Sequence, residues 1–326
     1  MFQFVVRTCV ALAWVITLLN AAVLHAFELK VMSFNVWAGA DGREADAIIA
    51  SGADIIGIQE SSGTTASLAG MLGMFYAALP DGSNSILSRF PITQVYNRGV
   101  KIDLGEQGDA YIFSVHLASS PYQPYQIHPQ SPQLGWGPTI NTGSHDGDVA
   151  AAVAQANAAR SGQITAVLNE IATKVPQGAK VFLVGDFNEP SHLDWTEEAG
   201  PNGAGLHTHV VPWPTSIKVI NAGFIDSYRT LYPNEVTHPG YTWTTLNNNP
   251  EVHDRIDFVY FRGEGMTLMD VQLVGDPGMA GGQLSDITLS NYPSDHRAVL
   301  ATFLLPEPVT LVLLLGTTPL LLRRRT

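Results

Sequence analysis

A mixed α/β fold is what this 326-residue sequence predicts, and three observations predict it. Short apolar segments rich in β-branched residues recur along the chain, and most run into polar groups at their ends. One alanine-rich stretch, 149–173, sets Val153, Ile164, Val167, Leu168 and Ile171 at near-helical spacing. At 45% apolar residues the chain can bury one large core or two small ones.

In order, residues 28–37 read as a strand with Asn35 near its end, followed by a turn-rich stretch. Arg43 to Ala50 reads as a short helix closed near Ser51-Gly52. Residues 54–60 form a second strand, apolar until Gln59 and Glu60. A third, 85–92, meets Pro91 and should leave its sheet there. Tyr111 to Leu117 is a fourth, with His116 near its end. Residues 118–147 carry five prolines, Tyr122, Tyr125 and Trp136 without clear period, and read as a substrate-side loop. The long helix of 149–173 follows, with a break expected near Ser161-Gly162.

Val181 to Val184 is a strand buried on both faces, which Gly185 is expected to break. Asp186 and Asn188 then project to one side of the extended chain. Residues 189–217 read as loop; His207 and His209 lack a third ligand at zinc spacing. Asp226 is expected in a polar tip after a short helix, and 241–245 as a strand-like piece with exposed aromatics. A strong strand spans His253 to Phe261, with Asp254, Arg255 and Asp257 at its entrance. Ser294-Asp295-His296 turns into the final strand.

The two ends differ from this body. Residues 1–26 have an early Arg7, an apolar run from Val10 to Leu24 and Ala26 where cleavage fits: the layout of a secretory signal peptide. As a helix that run rises about 22 Å, short of a hydrocarbon core of roughly 30 Å. At 306–326, Pro306-Glu307-Pro308, an apolar run and Arg323-Arg324-Arg325 resemble the PEP-CTERM sorting tail of bacterial envelope proteins. That resemblance implies export and processing by sorting machinery, and a plain C-terminal anchor in the inner membrane is the alternative. The expected division is 1–26 signal, 27–305 body and 306–326 sorting or anchor segment.

The only cysteine, Cys9, falls in the signal, which excludes disulfides, thiolate metal sites and cysteine nucleophiles from the body. Trimming Arg7, the three terminal arginines and Glu307 leaves 13 cations against 28 anions, a charge of about −15 against −12 for the whole chain. Such a body lacks the basic footprint of a protein that grips nucleic-acid backbones, so nucleic acid is a disfavoured partner.

Asn35, Glu60, His116, Asp186 with Asn188, and Asp295 with His296 all stand at strand ends, and Asp257 begins its own strand. Carboxylates, carboxamides and imidazoles together suit phosphate-ester hydrolysis, and no serine nucleophile elbow accompanies them. In identity and order these segments resemble the endonuclease/exonuclease/phosphatase superfamily, the DNase I-like hydrolases. The matching motifs are Ser33-Phe34-Asn35-Val36, Gln59-Glu60, His116-Leu117, Gly185-Asp186-Phe187-Asn188, Arg255-Ile256-Asp257 and Ser294-Asp295-His296. The resemblance implies a four-layer α/β sandwich: two packed mixed β-sheets flanked by helices, with the site at one edge.

It also implies a divalent cation, Mg²⁺ first with Mn²⁺ or Ca²⁺ as alternatives, held by Glu60 with Asn35, and by Asp295 if a second ion binds. Asp186 would orient or deprotonate the attacking water, and Asn188 would position water and phosphate. His116 and His296 would donate to phosphoryl oxygens, and either could protonate the leaving group. Asp257 would hold His296, with Asp254 a rival for that place. Arg89 and Trp243 are the expected substrate contacts. A catalytically inactive binding protein on the same fold is the rival function. Among enzymes, nuclease, sphingomyelinase-like and small-ester phosphatase readings stay open, as does oligomeric state.

Overall fold

The strand β1 (Phe27–Asn35) sets the pattern that organises the molecule. Its residues alternate, Leu29 and Val31 entering one apolar core while Met32 and Phe34 enter another on the opposite face. A strand buried on both sides must lie between layers, and the rest of the chain supplies them. The computed structural model describes residues 27–37, 42–61, 63–82, 84–127, 147–245, 252–278 and 282–305. Segments 1–26 and 306–326 and most of the aromatic loop, 128–146, lie outside the described residues.

After β1 come α1 (Arg43–Ser51), β2 (Ile55–Gln59), α2 (Thr65–Leu72), β3 (Phe75–Ala78), β4 (Asn84–Ser88), β5 (Ile92–Val95), β6 (Gly99–Asp103) and β7 (Asp109–His116). Then follow α3 (Pro124–Ile127), α4 (Val149–Lys174), β8 (Lys180–Asp186), α5 (Pro214–Asn221), β9 (Ile225–Asp226), α6 (Ser227–Leu231), β10 (Asp257–Arg262), β11 (Thr267–Gly275), β12 (Ile287–Thr288) and β13 (Ala298–Leu305). One sheet runs β12-β11-β13-β1-β2-β4-β3 and the other β5-β6-β7-β8-β10-β9. The central core between them takes Leu29, Val31, Ile55, Ile112, Phe182, Val184, Val259, Val299 and Phe303. Ala47, Ile48 and Leu68 of α1 and α2 cover the outside of the first sheet. Ile164, Val167 and Ile171 of α4 cover the outside of the second. This is the expected four-layer α/β sandwich.

Several local expectations change. Pro91 does divert the chain, which passes from β4 in one sheet to β5 in the other. The helix α4 runs unbroken through Ser161-Gly162, capped by Asp148, whose side chain accepts from Ala151 N (2.9 Å). It is pinned by a face of Ala152, Ala156, Arg160 and Ile164, all fully buried. Gly185 does not break β8 but lies within it. Its φ is 142°, and a Cβ there would stand 2.0 Å from the Val115 carbonyl oxygen, so only glycine lets β7 and β8 close up. Asp226 is no polar tip: it is buried, caps α6 by accepting from Arg229 N (3.2 Å), and is gripped by Arg255 Nη1 (2.8 Å). Tyr241, expected exposed, is buried. Among the described residues, no helix is long and apolar enough to cross a membrane.

Candidate active site

Strand parity delivers the polar residues to one place. Residues 29 and 31 of β1, 55 of β2, 110 and 112 of β7, 182 and 184 of β8, and 259 and 261 of β10 all face the central core. Counting in twos along each strand puts Asn35, Gln59, His116, Asp186 and Asp257 on that same inner face. Register aligns them: Asn35 lies opposite Gln59, and Asp186 lies between His116 and Asp257. The apolar core thus ends, at one edge of the sandwich, in a polar cap contributed by both sheets.

Beneath the cap the sheets touch through small groups. Gln59 Nε2 donates to Ser114 Oγ (2.9 Å), across the gap between sheets. A Cβ on Gly57 would meet Val184 Cγ2 at 2.3 Å, so the approach of β2 to β8 depends on glycine. Parity would send Glu60 outward with Ile56 and Ile58. Its left-handed backbone (φ 60°) brings its carboxylate to the site instead.

At the centre, Asn35 Nδ2 donates to Glu60 Oε1 (3.1 Å) and Asp186 Oδ2 (3.0 Å), while Asn35 Oδ1 accepts from Trp37 N (3.0 Å). Asn35, an expected cation ligand, turns its oxygen to the Trp37 N–H while its amide aligns two carboxylates. Asn188 stands beside it, its N–H donating to Asp186 Oδ1 (2.8 Å) and its Nδ2 to Leu117 O (3.0 Å) and Asp186 Oδ2 (3.1 Å). His116 Nε2 is 3.5 Å from Glu60 Oε1 and 3.6 Å from Asp186 Oδ2. His296 Nδ1 donates to Asp257 Oδ2 (2.9 Å), and its Nε2 lies 3.9 Å from Asp186 Oδ2. Ser294 Oγ fixes that corner, donating to Asn35 O (2.6 Å) and accepting from His296 N (3.0 Å).

Burial and charge tune these groups. Burial raises the Asp186 carboxyl, against the lowering pull of His296. Burial also opposes a charge on His296, but the carboxylates of Asp257 and Asp186 outweigh it and raise the imidazole well above its ordinary value. Asp295 is raised, by burial first and then by nearby carboxylates that include Glu60. Asp254 does not hold His296. It accepts from Tyr122 Oη (2.6 Å) and Trp195 Nε1 (2.9 Å) and bridges to the Trp243 backbone.

The donor set fits a divalent cation. Ligating atoms of Glu60, His116 and Asp186 lie within 4.8 Å of one another, and so do those of Asp186, Asp257 and His296. The second group is already tied into an imidazole–carboxylate pair, which leaves the first, centred on Glu60, as the better place for a cation. Among the described residues, the buried Oδ1 atoms of Asp257 and Asp295 have no hydrogen-bond partner, as fits oxygens that a hard cation or water would use. Asp295 belongs to neither group but lies close enough to Glu60 for the two charges to interact.

Trp243 is half-buried with its ring 6.4 Å from that of His296 and 5.5 Å from that of Tyr122. Arg89 is a correction. It follows β4, which runs antiparallel to β2, so it lies beside Asp54 at the far end of the sheet (Nε to Oδ1 3.6 Å) and not at the site. Sequence reasoning missed Arg160, fully buried, which donates to Ala118 O (2.9 Å), Pro121 O (2.8 Å) and Gln123 Oε1 (2.6 Å) and faces Glu189 (3.7 Å). It ties the segment after His116 to the one after Asn188. An arginine on the apolar face of a helix, four residues from Ala156 and Ile164, was the signal. His207 stacks on Trp195 (4.2 Å) and joins no metal-ligating group among the described residues.

Known proteins resemble this chain in sequence and in fold. The sequence model of the endonuclease/exonuclease/phosphatase family matches residues 32–296. An uncharacterised protein of Caenorhabditis elegans is 30% identical over 308 residues, covering 84% of this chain and 91% of the relative. An AP endonuclease from Archaeoglobus fulgidus shares the fold at a TM-score of 0.50 and 15% identity, covering 84% of this chain and 98% of that one. D. rerio TDP2 complexed with a single-strand DNA product aligns at a TM-score of 0.48 and 18% identity, covering 85% and 98%. The chain belongs to the endonuclease/exonuclease/phosphatase family of metal-dependent phosphoric ester hydrolases.

Proposed function

We propose that this chain is an exported, Mg²⁺-dependent phosphoesterase that opens a phosphoric ester by in-line attack of water. The observation that supports it is the Asn35 amide bridging Glu60 and Asp186 beside the His296–Asp257 pair. Glu60, with Asp295 near it, would hold a divalent cation, which would supply Lewis-acid polarisation of a phosphoryl oxygen. Asp186, its basicity raised by burial, takes the proton of the attacking water. Asn188 orients that water and the phosphate. His296, kept cationic by Asp257, donates to a phosphoryl oxygen as negative charge builds there. His116 donates from the Glu60 side or gives the leaving alkoxide its proton.

Export is part of the proposal and rests on residues 1–26 and 306–326 alone. The body of 27–305 would act outside the cytoplasm, with the tail read by sorting machinery or held in the inner membrane.

The Asp186→Asn variant tests the chemistry. Hydrolysis of bis(4-nitrophenyl) phosphate with Mg²⁺ should fall by about 10²–10⁴-fold in kcat, with the thermal midpoint unchanged or raised. Activity within a few-fold of wild type would remove Asp186 from its role.

A further inference from the structure

A second cavity lies between the segment that leaves α6 and the segment that leads into β12. Its volume is about 520 Å³, and Tyr228, Tyr232, His238, Tyr241, Gln283 and Asp286 stand in its lining. None of the residues placed in the active site above lines it. Small-molecule sites typically measure roughly 300–1,000 Å³ and combine aromatic walls with a few polar groups, as this cavity does.

Two buried arginines build its walls. Arg229 donates through Nη1 to Tyr232 O (3.0 Å) and His238 O (2.6 Å), and through Nη2 to Pro239 O (2.9 Å). Arg297 donates to Tyr241 O (2.8 Å), Gln283 O (2.8 Å) and Ser285 Oγ (3.1 Å). Donors used in this way fix the backbone on both sides of the space before any ligand arrives.

The lining is chemically selective. Tyr241 is only 8% exposed, and its N–H is taken by Gln283 Oε1 (2.9 Å). Its hydroxyl has no hydrogen-bond partner among the described residues. A polar group on so closed a wall is a ready contact for whatever fills the cavity. The exposed His238 ring stacks on Tyr232, with centroids 4.8 Å apart and planes at 18°, and no further ring among the described residues covers its other face. Asp286 accepts from Leu273 N through Oδ2 (2.7 Å), which leaves Oδ1 as an acceptor. An anion would meet this carboxylate with no lysine or arginine in the lining. A cation would meet Tyr228, whose ring already carries the guanidinium groups of Arg229 and Arg255 at 5.3 and 5.5 Å. Ring faces set among a hydroxyl, an imidazole and a carboxylate suit a neutral ring that bears several hydroxyls.

We propose that this cavity is a second ligand site, for a pyranose sugar. A C–H face of the sugar ring packs on the His238 imidazole, and its hydroxyls bond to Tyr241 Oη and Asp286 Oδ1. The site is separate from hydrolysis and stands whether or not the phosphoesterase reading does.

Saturation-transfer NMR on the full chain tests it, with the methyl pyranosides of glucose, galactose, mannose and N-acetylglucosamine as probes. At least one should bind with a Kd of roughly millimolar order, as expected for a ligand of that size. Neither tetramethylammonium nor inorganic phosphate should displace it. Tyr241→Phe removes one oxygen and His238→Ala alters an exposed side chain, so both variants should keep the wild-type circular dichroism spectrum. Each should weaken the bound pyranoside by about fivefold. Absence of binding by all four pyranosides, wild-type affinity in either variant, or displacement by a charged probe would overturn the proposal.

Discussion

Asp254 shows how strongly position governs a single carboxyl. Burial pushes it up to about 7, against the lowering effect of its hydrogen bonds from Tyr122 and Trp195. The folded chain therefore keeps a proton that the unfolded chain releases near the ordinary value of 3.8. Stability from this group is full below that value and is lost as pH rises toward 7. Asp254→Asn mimics the neutral form, with its amide placed to donate to the Tyr122 oxygen. The variant should gain on wild type by about 5 °C in Tm between pH 5 and pH 8. Parallel Tm profiles for the two proteins would refute the shift. Residue types at the site were legible in the sequence because strand ends carried carboxylates and imidazoles. Which end of the sheet each reached was not, and Arg89 failed on that point, since strand direction sets the end and the direction of β4 depends on long-range pairing. Asp257 was read as the partner of His296 with Asp254, on the other side of Arg255-Ile256, as its rival, and the hydrogen bonds of the two carboxylates separate them.

Elements were readable where burial was one-sided or complete. β1, β2, β7, β8 and β13 are apolar on both faces because a helix layer covers one side and a second sheet the other. β3, β5 and β6 escaped notice because two are sheet edges, short and largely exposed, and the third lies next to an edge. β11 escaped because its first half alternates with exposed residues, Thr267 and Met269 among them. α5 begins at Pro214 inside an expected loop, since proline suits the first turn of a helix as well as a turn. The contact between sheets was invisible in sequence yet sets the geometry of the site. Gly57→Ala would place a methyl 2.3 Å from Val184 Cγ2 and 3.1 Å from Ser114 Oγ. Overpacking of that kind should destabilise by about 1–3 kcal/mol, read as a lower urea midpoint. An unchanged midpoint would mean that the two sheets are free to separate at β2.

On the scale of the whole molecule, two sheets bring four carboxylates, Glu60, Asp186, Asp257 and Asp295, to one edge of a chain whose formal net charge is already −12. The two imidazoles offset only part of that charge, so the folded state is set to gain from a bound cation. Saturating metal at about 100 times Kd would add about 2.7 kcal/mol to stability. The acidic total also fits a substrate met through the cation more than through a basic groove. Family, fold and the convergence of the strand ends could be anticipated from six short motifs in order. A cation at Glu60 was anticipated too, but not the geometry around it, because the left-handed turn at Glu60 and the amide bridge of Asn35 exist only once both sheets are packed.

The most direct measurement is a titration of Mg²⁺ into metal-free protein, following Tm in wild type and in Glu60→Gln. Wild type should rise by about 5 °C and saturate, and Glu60→Gln should need at least about tenfold more Mg²⁺ for the same rise, as loss of a charged ligand requires. A wild-type Tm indifferent to Mg²⁺, or a Glu60→Gln curve that overlays the wild type, would contradict the claim that these strand ends form one cation-dependent site.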